Sequence, residues 1–495
     1  MKKDALQETS SKWTLAKAND LIAKQSAEID ALQSTIKTLS ARIAKLEERQ
    51  KTNSKNSSLP PSKDKSSKNK TNAKRNAKRK ALGRKRGGQP GHKKHERSLV
   101  PQEAVDHTVI CLPPTECGCG GRVDCAKTNF RRHQQYEFPV IKPIVTEYQL
   151  YTGHCQHCKK SHKGRLPLGV SWSMLGPRAT AMTAHLSGSY RLSKKNIVNI
   201  YSDLFNFTCS TGMVCKAEQT VSQALQGPVS AAHDFIKHAK HQGVNADETG
   251  FKQQGKGHWA WLATHQNVAV FLIRKNRSKK VAKELLGTEF NGILCSDRYN
   301  AYNFVDKEQR QYCWAHLDRD FCKMAGRSGV SKIIGNALMT LTDTLFHHWH
   351  LFIDGKISRR QLRARIRRLR EKILVQLRRG KRARNSATAG TCRTLLKYEK
   401  SLWLFAKIDG IEPTNNLAER LIRTLVIWKK TSFGTQSKKG STYMERIMSV
   451  VATCKLQHRN ILEYLTQAVQ CFVEKTKPPS LLPEIKENEQ ALIAA

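Results

Sequence analysis

Apolar residues recur at alternating spacings of three and four along the N-terminal stretch: Leu15, Ala18, Ile22, Gln25, Ile29, Leu32, Ile36, Leu39, Ile43 and Leu46, with no Pro or Gly between them. From Ile29 onward Ile and Leu alternate along the seam. That choice predicts a parallel two-stranded coiled coil, with Gln25 fixing register at some expense of stability. An amphipathic helix packed on its own chain gives the same pattern.

Further along, the period changes several times. Residues 107–168 read as short β segments between cysteine pairs, and Glu137–Tyr151 is rich in Val, Ile and Tyr in near-alternation. From Gly176 to about Leu225 the spacing is helical. RLSKKNIVNIYSDLFNF is one helix, a break falls near Phe207–Ser210, and STGMVCKAEQTVSQAL is a second with Ser210 or Thr211 as cap. Two helices and a short turn fit a DNA-binding helix-turn-helix and fit an ordinary helical hairpin equally well. GVNADETGFKQQ, GHWAWLATHQ and NVAVFLIRKN then read as three consecutive strands, SKKVAKELLG as a helix, GILCSDRYNAYNF as a fourth strand, and QRQYCWAHLDRDFCKMA as a short strand and a helix. That order is the order of an RNase H-like mixed sheet. Residues 325–405 are helical throughout, and NNLAERLIRTLVIWKK is a further helix before a Ser/Gly-rich loop and a last helix from Thr442.

Charge changes the picture from fold to partner. Lys and Arg number 87 against 40 Asp and Glu, a net of +47, which predicts a polyanionic partner, nucleic acid first. A hydrophobic fraction of 39% excludes a wholly disordered polycation. Residues 51–97 hold 17 Lys/Arg against Asp64 and Glu96, which predicts a disordered basic arm, in contact with phosphate or simply solvated. Between Arg359 and Arg384 there are 13 Lys/Arg against Glu371 alone. No apolar run reaches the ~18 residues a membrane span needs, and MKKDALQETSSKW has no apolar core of a secretory signal. The expectation is a cytoplasmic, nucleoid-associated protein whose 14 Cys are reduced thiols or metal ligands.

Three carboxylates occupy positions where such a sheet assembles a phosphoryl-transfer site: Asp247 in the first strand, Asp297 at the end of the fourth, and Glu419 on the NNLAER helix. Hard oxygen donors suit Mg²⁺ or Mn²⁺, and two ions ~3.5–4 Å apart activate attacking and leaving oxygens. Glu248 belongs on the opposite face by strand alternation. Asp297 doubles as a turn residue, and with Asn416 as N-cap, Glu419 falls at the capping-box position. Cys155-x-x-Cys158 has zinc half-site spacing, and Cys117-x-Cys119 is the preferred other half, with Cys111, Cys125, His133 and His154 as further donors. Cys313-x-x-His316 is metal-like too and stands as a supporting site, or as a core thiol beside a hydrogen-bonded imidazole.

These segments in order closely resemble the insertion-sequence-66 family of bacterial DDE transposases: the zipper, NSSLPPSKD, RGGQPGHKKHE, the Cys-rich module, the DET motif at Asp247, SDRYNAY at Asp297, YCWAHLDRDF, NNLAER at Glu419 and WKKTSFGTQSKKGS. The resemblance implies Asp247, Asp297 and Glu419 as the catalytic triad with a helical insertion before the Glu, and DNA (element ends and target) as partner. It also implies small companion proteins of the same element. NADET carries Asn245 where many relatives carry His, and the first cysteine pair has one intervening residue where two are usual. The architecture expected is multidomain α/β. In chain order it comprises a coiled-coil zipper (1–50) that forms a homodimer or higher oligomer through 15–46, a basic arm (51–100), a zinc-binding module (101–168) and a helical DNA-binding region (169–232). The RNase H-like domain follows in two parts (233–324 and 406–460) around a basic helical insertion (325–405), and a tail closes the chain (461–495). The activity expected is metal-dependent cleavage at the ends of an insertion sequence and strand transfer into target DNA. A hydrolytic RNase H-like nuclease and a zinc-containing DNA-binding regulator are the alternatives.

Overall fold

The computed structural model describes residues 18–36, 38–39, 42–43, 98–125 and 130–483. The basic arm, 51–97, and the zipper ends at Leu15 and Leu46 lie outside these. The chain divides into two compact units, one of Met1–Lys65, Glu147–Asn199 and Cys209–Ala495, the other of Ser66–Thr146 and Ile200–Thr208.

Residues 18–36 of the larger unit are helical, and the seam residues Ile22, Ile29, Leu32, Ile36, Leu39 and Ile43 are all exposed, between 51% and 62%. A two-stranded hairpin follows, β1 (Thr152–His154) antiparallel to β2 (Ser161–Lys163). Helices α1 (Pro177–Gly188), α2 (Lys194–Phe205), α3 (Thr211–Ala224) and α4 (Gln226–Lys237) come next. Ser210 caps α3, its hydroxyl accepting from the Met213 amide, as the sequence suggests.

The centre is a five-stranded mixed sheet of β3 (Gly243–Gln253), β4 (Lys256–His265), β5 (Val268–Arg274), β6 (Ile293–Ser296) and β7 (Arg310–Tyr312), in the order β5-β4-β3-β6-β7. The first three strands form an antiparallel meander, β6 runs parallel to β3, and β7 runs parallel to β6. Helix α5 (Lys279–Leu286) makes the crossover from β5 to β6. Strand β5 is buried on both faces at VAVFLI, as a strand covered by helices must be. The cover includes α11 (Lys438–Leu456), whose Thr453, Ser449 and Glu445 side chains accept from the β5 amides of Ala269, Phe271 and Ile273. Those hydrogen bonds occupy an edge that would otherwise invite another strand.

A second core lies among the helices that follow the last strand. It unites α6 (Trp314–Ala325), α7 (Gly329–Ile353), α8 (Arg359–Lys381) and α9 (Ser386–Lys397) around Trp314, Leu317, Phe321, Leu338, Leu362 and Leu377. Gly335 lets α7 lie against the backbone at Met324 and Ala325, where a Cβ has no room. Helix α8 opens on a complete capping box, Ser358 with Gln361. Helix α10 (Asn416–Ser432) returns the chain to the sheet.

Two expectations need correction. Glu137–Tyr151 contains no strand: Pro139 and Pro143 lack donors and break any ladder, and Val140, Ile144 and Val145 stand 87–97% exposed. Residues 461–495 are not simply a tail, because α12 (Ile461–Glu474) buries Tyr464, Leu465, Ala468 and Val469 in the same core as the sheet.

Candidate active site

Strand pairing decides where the first two acids meet. In the parallel pair β3–β6 the last register partners are Asn245 and Cys295, and two residues further along each chain come Asp247 and Asp297. Both acids therefore follow just beyond the end of this pairing, near enough that the Asp297 charge raises the Asp247 carboxyl. The loop after β6 is held from beneath by Arg310, a 1% exposed residue of β7. Its guanidinium donates to the carbonyls of Asp297 and Tyr299, at 2.8 and 2.9 Å, and to Asn303 Oδ1. Asp297 Oδ1 accepts from the Tyr299 amide at 2.9 Å, so one oxygen fixes the turn.

Glu419 comes from the first turns of α10, and its placement depends on Asn415. That side chain is fully buried and donates to the Ala246 carbonyl at 2.7 Å, beside Asp247, while its Oδ1 accepts from Asn245 Nδ2 at 3.1 Å. Its backbone amide donates to Cys313 Sγ at 3.2 Å, and its carbonyl accepts the Glu419 amide at 3.1 Å. One residue therefore stitches β3, the start of α6 and the start of α10 together. Lys429 Nζ, donating to Thr249 Oγ1 at 2.9 Å, pins the same helix to β3 further along. The capping-box reading of Glu419 is overturned. The N-cap is Asn415 and no side chain caps the helix, so the Glu419 carboxylate is not tied to the helix end.

The electrostatics bear the mark of converging negative charge. Burial raises the Asp247 carboxyl well above the usual range, and Glu248, Asp297 and Glu419 push it the same way. Glu248 takes the other face, where Tyr302 Oη donates to it at 2.6 Å and Arg277 Nε at 3.0 Å. Burial and Asp297 raise Glu248, while those two donors act against them. Arg277 lies 3.6 Å from the Tyr299 ring centroid and so links Glu248 to the Asp297 loop.

Helix α6 brings a different set of donors to Glu419. His316 Nδ1 lies 3.3 Å from Glu419 Oε1, and Arg319 Nη2 lies 3.3 Å from Oε2. Among the described residues, the group of three Cys, His, Asp or Glu donors whose ligand atoms all lie within 4.8 Å of one another is Cys313, His316 and Glu419. Asp247, Asp297 and Glu419 spread wider than that. Burial lowers His316 while Glu419 pulls it up, and burial raises the Cys313 thiol to about 11.

The cysteine pairs stand on turns of different kinds. Cys155 begins the loop between β1 and β2, and its Sγ accepts the Cys158 amide at 3.5 Å. Backbone donation from Cys158 and His157 and the Cys158 side chain lower its thiol. In the smaller unit Cys117 donates its amide to Gly121 at 2.8 Å across a turn closed by Gly120 at φ 87°. The Gly121 amide and the Cys117 side chain lower Cys119. The two pairs belong to different units.

Sequence reasoning missed Asn415, Arg310 and Arg277. The signal for Arg310 was present, since a charge inside a buried three-residue strand needs a specific partner.

The profile of the Transposase IS66 family matches residues 173–443, a span from α1 to α11 that contains all three acids. The chain belongs to the IS66 transposase family. A second profile, described as a family of unknown function (DUF6444), matches residues 14–98 of this IS66 chain. Among curated proteins, the "Uncharacterized protein y4qI" of Sinorhizobium fredii is 28% identical over 206 residues, covering 38% of this chain and 37% of that protein. The present chain thus spans well under half the length of that relative. Among the described residues no helix is long and apolar enough to cross a membrane.

Proposed function

We propose that this IS66 chain is a DNA transposase whose RNase H-like sheet carries Asp247, Asp297 and Glu419 as its catalytic carboxylates. One observation carries the reading: Asp247 and Asp297 each come two residues after the last β3–β6 register partners, Asn245 and Cys295, and Asn415 anchors the Glu419 helix to the same stretch of β3. Half-buried carboxylates gathered around Asp247 are a poor structural device and a good cradle for divalent cations. Mg²⁺ or Mn²⁺ fits that donor set. When bound, it supplies positive charge to the attacking and departing oxygens of a phosphodiester.

The chain's own residues do the rest. Asp247, Asp297 and Glu419 fix where the phosphorus must sit, and Arg310 holds the Asp297 loop in one conformation. At the element end, water attacks phosphorus and the P–O3′ bond breaks, leaving a 3′-hydroxyl on the element and a 5′-phosphate on the flank. That hydroxyl then attacks a target phosphorus, its proton leaves to solvent, and a target 3′-hydroxyl departs. The first step turns a diester into a monoester that releases a further proton, and the second exchanges one diester for another; in both the protein has mainly positioning and electrostatics to supply.

Around this centre the basic residues of α8 hold DNA backbone and α2–α3 contact the element ends. Each cysteine pair offers two thiolate donors suited to zinc, and the exposed seam of the N-terminal helix pairs two copies. Companion proteins of the same element complete the assembly where they are present. The test is a strand-transfer assay with labelled element ends, comparing the natural protein with Asp297→Asn. Joined product from the natural protein alone supports the reading. Cleavage without joining points to a nuclease, and binding without cleavage to a regulator.

A further inference from the structure

The protein carries a second set of metal donors that shares one residue with the first. Cys313 is the N-cap of α6 and His316 lies one turn on, so the two project from one face of that helix. Glu419 meets them from α10. The three ligand atoms all lie within 4.8 Å of one another, in the range that donors roughly 3.5 Å apart around one tetrahedral ion reach with small side-chain shifts. All three positions are held by the fold. Cys313 is 1% exposed and its sulfur is fixed by the Asn415 amide at 3.2 Å.

Two buried atoms of this group, His316 Nδ1 and Glu419 Oε1, form no aligned hydrogen bond and meet only each other as a close charged contact. They lie only 3.3 Å apart. Orphaned polar atoms in a well-packed interior need a reason, and two of them facing each other across that distance are both satisfied by one cation. Arg319 engages the other carboxylate oxygen, Oε2, which leaves Oε1 as the ligand. The sulfur–nitrogen–oxygen set is softer than the all-oxygen set beside it, so it selects Zn²⁺ or Cd²⁺ over Mg²⁺.

We propose that Cys313, His316 and Glu419 form a site for one thiophilic divalent cation, and that an ion held there draws Glu419 away from the carboxylate centre and inhibits it. The inhibitory half rests on the catalytic reading of Glu419, whereas the binding half does not. Removal of either Cys313 or His316 then abolishes both effects.

The experiment uses the full chain with reduced thiols, titrated with Co²⁺ and with Cd²⁺ while sulfur-to-metal absorption is recorded. The cysteine pairs at 117–119 and 155–158 contribute equally in every variant, so the comparison is between the natural chain, Cys313→Ser and His316→Gln. Each variant is expected to lose one bound ion per chain, or to bind it at least ~100-fold more weakly, with circular dichroism unchanged. Identical stoichiometry and absorption in all three chains overturns the site. In parallel, Mg²⁺-supported DNA cleavage is followed with added Zn²⁺. Inhibition of the natural protein that chelator reverses and Cys313→Ser resists supports the proposal, and equal inhibition of both overturns its second half. A natural protein that binds the ion but never cleaves DNA refutes the catalytic reading and leaves the cation site standing.

Discussion

Asp247, Asp297 and Glu419 are carried by the sheet, the loop after β6 and a helix of one buried core, whereas Cys117, Cys119, Cys155 and Cys158 stand on short turns, all exposed but the half-buried Cys155. The acids are positioned before any ion arrives: strand register, the Asn415 hydrogen bonds and the buried Arg310 fix them, and they repel one another as a result. The thiols have little apolar packing around them and depend on backbone amides aimed at sulfur. The first group is thus held in place by the fold itself, at the expense of stability. If the second binds zinc as proposed, the metal would itself supply folding energy there. The contrast separates function from structure within one chain, and each side of it can be broken independently.

The largest effect is expected from the acids themselves. Asp297→Asn or Glu419→Gln should lower DNA cleavage by at least ~10³-fold, in the range seen when one preorganised charge is removed from a transition-state site, with thermal unfolding and DNA binding essentially intact. Gel assays of cleavage at equal protein and DNA occupancy check this. Retained cleavage in both variants removes the preformed centre from the chemistry.

Next comes metal removal. Chelation, or Cys158→Ser, should release the structural ion and expose the β1–β2 hairpin to protease while leaving the unfolding temperature of the sheet core unchanged. Limited proteolysis beside elemental analysis reads both. If the sheet melts together with the hairpin, the two centres are not independent, and the contrast drawn above collapses.

A smaller effect tests how the preformed centre is held. Asn415→Ala strands the Ala246 carbonyl and the Asn245 amide group in the interior, at about 1–3 kcal/mol. It should also lower the cleavage rate by on the order of 10²-fold through a shift of Glu419. Asn415→Asp, which keeps the acceptor for Asn245 and loses the donor to Ala246, should fall between. A rate loss no larger than the loss of folded protein would reduce Asn415 to packing.

Much of this arrangement was legible in the sequence because strands β3 to β5 announce themselves by period, and because two acids at corresponding places on strands one and four of such a sheet must meet. The role of Asn415 was not legible. In a sequence, NN before a helix reads as a cap, and only the tertiary approach of β3 turns its side chain away from the helix end. The opposite error came at Glu137–Tyr151, where β-branched and aromatic residues suggested a strand. Val and Ile favour a pleated, half-buried surface, and with prolines at 139 and 143 no neighbouring chain offers one. The N-terminal heptad pattern, by contrast, is plain in the sequence, and among the described residues its Ile and Leu positions stand exposed.

The smallest expected effect has the opposite sign to the others. In metal-free protein Asp247→Asn should raise stability, because Asp247 ionises against burial and three neighbouring acids. A carboxyl whose folded pKa exceeds its unfolded value holds its proton more tightly in the native state. Between those two values the native state binds more protons than the unfolded state, and stability falls as pH rises. The penalty is absent below the unfolded value of ~3.9 and complete once pH has passed the raised folded value. The variant should therefore match the natural chain near pH 4 and exceed it at neutral pH by about 1 kcal/mol, or ~2 °C in melting temperature for a chain of this size. Calorimetry in chelator at the two pH values measures the difference. With Mg²⁺ present the order should reverse, since only the natural chain gains the ion's stabilisation. A variant less stable than the natural chain in chelator would mean that Asp247 serves the fold, and the distinction between a site built for chemistry and a site built for structure would fail at its central residue.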